Sequence, residues 1–462
     1  MKKYFSKKPR INSVVFFLFL ICVVSFFSYA QSDKKDEATA ILRPPYLLDE
    51  FGRIIIYHGI TVSNSAKSAE DFLPWQKKED FARLKEWGFN LVRYLIFWEA
   101  IEPVSGKYND KYMQDTLERL KWLEELGIDV LLCIHQDLFH RRFGGSGFPD
   151  WAVHDGGYPV TPVSPPYKNY FTKPVMSCFD YFWRSDLLKN SYIDMVKYVL
   201  SNVDKLPHLI GIEVFDEPWP HIGPGFEATI LTDFYKRIEK MKIDNNFKTT
   251  LYFQPMLISS VVMPTGLQFQ PTGFAVYAVR YFDPFYENEN STYGKTNNWI
   301  MSTTISQRVR ESRRWGIPML ITDFGVALNP AEAMRFLDDW FLLMDQYHLG
   351  WVYNSYDRDT VNPYGILDSE GNSKPVLGKL IQTYPQRIAG KNPTWYTKGN
   401  LFKLSYEPDG NVAPTVIFIP RSDVARQVVV NTKPYPYDPF KDLRFEYKAS
   451  PNEKTVNIVV QW

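Results

Sequence analysis

Cysteine is scarce in this 462-residue chain: Cys22, Cys133 and Cys178 are all it has. Three thiols cannot build a disulfide framework, and none lies in a Cys/His cluster with metal-ligand spacing. Cys133 falls inside an apolar, strand-like run, where a buried free thiol is expected; one disulfide is the most the chain can form. An excess of either charge is missing too. Lys and Arg total 53 against 52 Asp and Glu, a net charge of +1, so there is no electrostatic footprint for nucleic acid. No Gly-rich phosphate loop follows the first strand-like run, which argues against a dinucleotide-binding sheet. Aromatic residues, in contrast, are abundant at 16%. A large aromatic core accounts for many of them. Trp and Tyr also stack on sugar rings, so the excess favours a carbohydrate or lipid ligand.

One long hydrophobic run stands at the N-terminus. Lys2, Lys3, Lys7, Lys8 and Arg10 precede VVFFLFLICVVSFF (Val14 to Phe27), and SYA precedes Gln31. A basic segment, an apolar segment and small residues before a cleavage point make a signal peptide over residues 1–30. The run is short for a membrane span, and an uncleaved anchor is the alternative. The expected mature chain is secreted or periplasmic.

From about residue 50 to 360, strand-like runs alternate with amphipathic segments. The runs are RIIIYHGI, NLVRYLIFW, DVLLCIHQD, IGIEVFDEP, TTLYFQP, GFAVYAVRYF, PMLITDFG and GWVYNSYD. Between them, KYMQDTLERLKWLEELG places Met113, Leu117, Leu120 and Leu123 on one face and stops at Gly127, a C-cap signal. Repeated strand–helix units with continuously apolar strands indicate a parallel sheet covered on its outer face. Closed on itself, that is a (β/α)₈ barrel, the fold expected over residues 31–391. An open doubly wound sheet is the alternative. A long irregular segment, Asp137 to Ser185, joins the third and fourth runs and has the length of a lid or binding wall. After it, LFKLSYEP, APTVIFIP, RQVVVNT and KTVNIVVQW predict an antiparallel β-sandwich over residues 392–462.

In such a barrel the chemistry sits where strands end. The fourth run ends in Asp216 and Glu217 and the seventh in Asp323. Two carboxylates facing one another across a cleft suit glycoside hydrolysis: one protonates the leaving oxygen while the other attacks the anomeric carbon or activates water. Taken singly, either acid is as well explained as a helix cap. Arg93, His135, Asp137, Arg280, Tyr281, Trp351 and Asn354 collect at the same strand ends. Each has a plain packing explanation; their joint occurrence there marks a site.

IHQDLF, GGSGFPDW, FDEPW, YAVRYFDPFY, TDFG, YGILD and TYPQRIAG together resemble the endoglycoceramidase group of glycoside hydrolase family 5, over about residues 45–425. The resemblance implies hydrolysis of the bond between a glycan and a lipid aglycone. It makes Glu217 the acid/base and puts Asp323 at the nucleophile position, where the family has Glu. It gives His135 and Asp137 sugar-binding roles, places Tyr281 near the nucleophile and makes Arg93 an organising residue. Asp216 stands where the family has Asn, Arg280 where it has His, and Asn354 near the place of a pocket aromatic, with Trp351 close by. Retaining sites hold the two carboxyl groups about 5–5.5 Å apart and inverting sites about 6.5–9.5 Å. The shorter Asp323 moves the separation towards the inverting range unless the backbone closes up. The rival reading is a barrel that binds glycans or glycolipids without cleaving them. No cofactor or metal is implied. The expected partner is a glycolipid or other glycoside, not nucleic acid; contact with a membrane surface would give access to a lipid substrate, and a monomer is expected.

Overall fold

The computed structural model describes residues 42–164, 166–220, 225–260, 263–283, 293, 298–326, 330–421, 426–438 and 443–462. The expected signal peptide lies outside them. Among the described residues no helix is long and apolar enough to cross a membrane.

After a short strand β1 (Ile54–Ile55), eight strands close into a barrel: β2 (His58–Val62), β3 (Leu91–Ile96), β4 (Asp129–Ile134), β5 (Leu209–Glu213), β6 (Leu251–Phe253), β7 (Ala275–Tyr281), β8 (Met319–Phe324) and β9 (Trp351–Tyr353). Every neighbouring pair is parallel, and β9 pairs back onto β2. The eight apolar runs are these eight strands, because a strand covered on both faces needs no polar alternation. The covering helices are α1 (Lys78–Glu86), α2 (Trp98–Ile101), α3 (Asp110–Leu126), α4 (Lys173–Arg184), α5 (Asp186–Val203), α6 (Thr232–Asp244), α7 (Trp299–Trp315), α8 (Pro330–Tyr347) and α9 (Pro375–Leu380). Helix α3 buries Met113, Leu120 and Leu123, starts on an Asn109 cap and ends at Gly127 with φ +66°.

The barrel interior is layered. Leu91, Leu131, Tyr252, Val276, Leu320 and Val352 form its apolar floor. One step nearer the C-terminal rim the lining turns polar: Arg93, Cys133, Glu213 and Thr322 are all fully buried. Much of the aromatic excess lies outside the sheet. Phe182, Trp183, Tyr192, Phe215 and Phe234 pack ring on ring between β5 and its covering helices, with Trp183 5.3 Å and Tyr192 5.2 Å from Phe215. The same cluster ties down the backbone on either side of Asp216 and Glu217. Tyr192 donates to the Val214 carbonyl at 3.0 Å and Trp183 to that of Trp219 at 2.7 Å.

The C-terminal strands form two antiparallel sheets, β1-β10-β13-β16 and β11-β12-β17-β14-β15. Their ranges are β10 (Tyr384–Ile388), β11 (Gly390–Lys398), β12 (Leu401–Pro408), β13 (Thr415–Phe418), β14 (Gln427–Val430), β15 (Lys433–Tyr435), β16 (Arg444–Tyr447) and β17 (Val456–Gln461). The boundary expected between residues 391 and 392 falls inside β11; the sandwich begins at β10 and takes its edge strand β1 from before the barrel. It packs directly on the barrel: Tyr384 donates to the Gly88 carbonyl at 2.7 Å and stacks on His58 at 3.5 Å. Gly88 has φ +84°, and a Cβ there would lie 2.3 Å from the Phe418 ring, so this contact requires glycine.

Candidate active site

Glu217 is built into place under strain. It follows the end of β5 with φ +46°, a left-handed conformation that costs a non-glycine residue about 1–2 kcal/mol. Both of its backbone groups are held by side-chain amides. Gln136 donates to its carbonyl at 2.8 Å, and its N–H donates to Gln254 at 3.0 Å. Its carboxylate accepts from Tyr170 at 2.8 Å and pairs with Arg280.

Asp323 reaches the same cleft from β8. The β7–β8 register runs from Val279 opposite Ile321 to Arg280 opposite Asp323, so Thr322 is the extra residue of a bulge. Thr322 and Asp323 then both face inward. Thr322 donates to Glu213 at 2.8 Å, while Asp323 pairs with Arg280 at 3.1 Å and lies 3.6 Å from Arg93. Asn354 approaches it at 3.4 Å and is itself held by Asn64 and Asn362 at 2.8 and 2.6 Å. Burial outweighs the two guanidiniums and raises the Asp323 carboxyl above the usual range.

Arg93 organises the layer below. Its guanidinium meets Glu213 at 2.7 Å and Asp216 at 2.9 Å. Burial alone would raise the Asp216 carboxyl, but Arg93 and His135 outweigh it and hold the group well below the usual range. His135 Nδ1 lies 2.5 Å from Asp216 Oδ2. Burial, helped by the charge of Lys67, lowers its pKa to about 4, so the neutral ring donates from Nδ1. That leaves His135 Nε2, and likewise Asp323 Oδ1, buried without a partner among the described residues. Both suit sugar hydroxyls. Asp137 stands at the rim, accepting from Tyr170 at 3.1 Å with Lys67 3.9 Å away.

The structure therefore brings Arg93, His135, Asp137, Asp216, Glu217, Arg280, Asp323 and Asn354 together. It does not bring in Tyr281 or Trp351. Successive strand residues face opposite ways, so with Arg280 inside, Tyr281 points to α8, stacks 5.5 Å from Trp340 and donates to Asp283 at 2.9 Å. Trp351 also faces outward, against His58 and Phe341 at 4.3 and 5.5 Å, while its neighbour Val352 belongs to the floor. Four further residues belong to the site: Glu213, Gln254, Tyr170 and Gln136. The signal for Glu213 and Gln254 was available, since each is a polar residue in a run buried on both faces. Tyr170 sits in a short 3₁₀ helix (Pro166–Phe171) within an irregular segment that gives no periodic signal.

Ligand atoms of Cys133, His135 and Asp216 lie within 4.8 Å of one another. They do not fit a metal. Arg93 donates to Cys133 Sγ at 3.0 Å and pairs with Asp216, so a guanidinium already stands there, and burial raises the thiol and keeps it protonated. The chemistry on offer is that of carboxylates: Glu217 to move a proton and Asp323 to attack or to activate water.

Residues 56–194 match the profile of the cellulase family, glycosyl hydrolase family 5. The chain is 24% identical over 408 residues to endoglycoceramidase I of Rhodococcus hoagii, covering 81% of this chain and 78% of that one. It is 23% identical over 427 residues to an endoglycoceramidase of Cyanea nozakii, covering 81% and 82%. Among solved structures, endo-glycoceramidase II from a Rhodococcus species superposes with a TM-score of 0.81 at 25% identity, over 90% of this chain and 99% of that one. That protein has been solved with a five-membered iminocyclitol and as a lactosyl-enzyme intermediate.

Proposed function

We propose that this chain, an endoglycoceramidase-like glycoside hydrolase of family 5, cleaves the β-glycosidic bond between a glycan and a lipid aglycone with retention of configuration. The observation that carries the lipid reading is an apolar wall beside Glu217. Phe171, 60% exposed, packs edge-on against Trp219 at 5.1 Å, and Leu257 donates its N–H to the Pro218 carbonyl at 2.9 Å, which puts exposed Ile258 on the same wall. Glu217 protonates the leaving oxygen, so its side of the cleft is where the aglycone leaves. Tyr158, Val163 and Tyr167 of the same segment are also exposed and would meet a membrane holding the substrate.

Glu217 and Asp323 face one cleft across the Arg280 guanidinium, which contacts both, as the acid and nucleophile of a retaining site must share one cleft. The lactosyl-enzyme intermediate of the Rhodococcus protein supports the same route. Asp323 is then the nucleophile, and Glu217 first acid and then base. The basic and apolar leader supports export, which would bring the enzyme to lipid outside the cytoplasm.

The test is a series of β-glycosides of one sugar with n-alkyl aglycones of increasing length. kcat/KM should rise with length, by up to ~0.8 kcal/mol per buried methylene, and Glu217→Gln should abolish kcat/KM for the whole series while sparing that of an activated aryl glycoside, whose kcat still falls because the second step needs Glu217 as base. A flat series would refute the lipid aglycone; equal loss on alkyl and aryl substrates would refute Glu217 as the acid.

A further inference from the structure

Arg280 is an unusual occupant for the place it holds. It is 8% exposed, projects from the C-terminal end of β7 and aims its guanidinium into the interval between the two carboxylates. One terminal nitrogen meets Glu217 and the other meets Asp323 at 3.1 Å. If these are the acid/base and the nucleophile, that interval is where the anomeric carbon must sit. It is also where positive charge develops, since the transition state resembles an oxocarbenium ion. A fixed cation there excludes the sugar sterically and opposes the charge it acquires.

We infer that Arg280 is a cationic latch: in the free enzyme its guanidinium holds the place of the anomeric centre, and substrate enters by displacing it. The idea rests on the two-carboxylate reading above and adds a specificity-determining role for a residue outside the carboxylate pair. The geometry provides a seat for the displaced group. The Phe282 ring centre already lies 5.1 Å from the guanidinium carbon and flanks it on the same rim, so a rotation of the long side chain towards that ring gives up two ion pairs while keeping a cation–π contact. Arg93 does not move with it. Its contacts with Glu213, Asp216 and Asp323 are made one layer deeper, where it is fully buried. Once Arg280 has moved, Asp323 keeps Arg93 and Asn354 as neighbours and Glu217 keeps Tyr170. Neither carboxylate is left without support.

A latch of this kind has a consequence that packing alone does not. Iminosugars with nitrogen at the anomeric position carry their charge there when protonated and take the place of Arg280 between the same two carboxylates. Every ring that enters meets the same displacement cost, so removing the guanidinium should tighten the iminosugar and an uncharged ring alike. The experiment compares a protonated iminosugar with its uncharged lactam, by calorimetry, on the wild type, Arg280→Met, Arg280→Gln and Arg280→Lys. Arg280→Met and Arg280→Gln should bind the iminosugar at least about tenfold more tightly than the wild type, with a lower KM for a neutral aryl glycoside; Arg280→Lys should resemble the wild type. Unchanged or weaker iminosugar binding in both neutral variants would overturn the latch and leave Arg280 a strut between the carboxylates. The unmodified protein gives a second reading, independent of how any variant folds: its crystal structure with the iminosugar bound should show the Arg280 guanidinium turned out towards Phe282, and a bound ring with the guanidinium still between the carboxylates would overturn the proposal. Failure of every form to bind or turn over any sugar would overturn the glycosidase reading itself, and the latch with it.

Discussion

Tyr170 offers the sharpest test of the site, because its hydroxyl stands between Glu217 and Asp137. Its oxygen lies 2.8 Å from Glu217 Oε2 and 3.1 Å from Asp137 Oδ1, the two acceptors that share its proton, and accepts the Leu138 N–H at 3.1 Å. Burial and the nearby Asp137 charge raise the phenol well above its usual range, so it remains a donor at any working pH. A donor to a carboxylate favours the ionised form, and such a bond contributes about 1.5–3 kcal/mol. Since one pH unit corresponds to about 1.4 kcal/mol and Asp137 competes for the proton, Tyr170→Phe should move the alkaline limb of kcat/KM upward by about one unit. The sign follows from the role: a general acid works protonated, and losing the hydroxyl helps it stay so. The stability cost, from the orphaned Leu138 N–H, should be about 1–3 kcal/mol. The assay is a pH–rate profile on an n-alkyl β-glycoside, whose poor leaving group needs the acid, with Asp137→Asn as the control that frees the hydroxyl for Glu217 alone and moves the limb the other way. If Tyr170→Phe folds and its alkaline limb coincides with the wild type, the hydroxyl is not coupled to Glu217 and the assignment of the acid loses its structural support.

His135 should tie stability to pH. Its pKa falls from 6.5 to about 4 on burial, so between those values the unfolded chain binds a proton that the folded chain does not. Its share of stability is complete above about pH 6.5 and is lost as pH falls towards 4, by ~3 kcal/mol. Urea midpoints measured from pH 7 to 4.5 should therefore decline less steeply in His135→Gln than in the wild type, and parallel declines would refute the neutral buried ring. Gln254 should act on rate more than on binding. It holds the Glu217 N–H at 3.0 Å, donates to Asp216 at 2.9 Å and also contacts Glu213. Gln254→Leu should lower kcat by about 100-fold with little change in KM, since small misplacements of a reacting group cost that much; a KM effect alone would assign Gln254 to substrate binding.

The barrel was legible because parallel strands covered on both faces read as continuous apolar runs, and β2 to β9 fall on the eight runs named. The acids were legible because Asp216, Glu217 and Asp323 break such runs abruptly. The facing of neighbours was harder to read. Arg280 and Tyr281, or Trp351 and Val352, differ by one residue, and a one-residue difference decides whether a side chain meets the cleft or a helix. The start of the sandwich was missed for a related reason. TYPQRIAG gave the family resemblance, but its Pro385 weakens a strand reading, although β10 runs through it. Strand β1 lies only two residues before β2 in an unbroken apolar run, and nothing in RIIIYHGI marks the change of sheet.

The departures at Asp216, Arg280 and Asp323 form one arrangement when their charges are followed. An Asn at position 216 and a His at position 280, the residues of the related group, would leave Arg93 to serve Asp323 by itself. Here Asp216 engages Arg93 at 2.9 Å, while Asp323 stands off at 3.6 Å from the same guanidinium. Arg280 meets Asp323 more closely, at 3.1 Å, so one added anion is matched by one added cation. The bulge at Thr322 completes the arrangement. A bulge re-aims the side chain beside it; without it, strand alternation would turn Asp323 towards α8, the side faced by Phe324, which stacks 4.3 Å from Trp340. With it, a carboxylate one methylene shorter than the family's still reaches both guanidiniums. Single reversions are therefore expected to be non-additive, because each of the three residues takes its place from the other two.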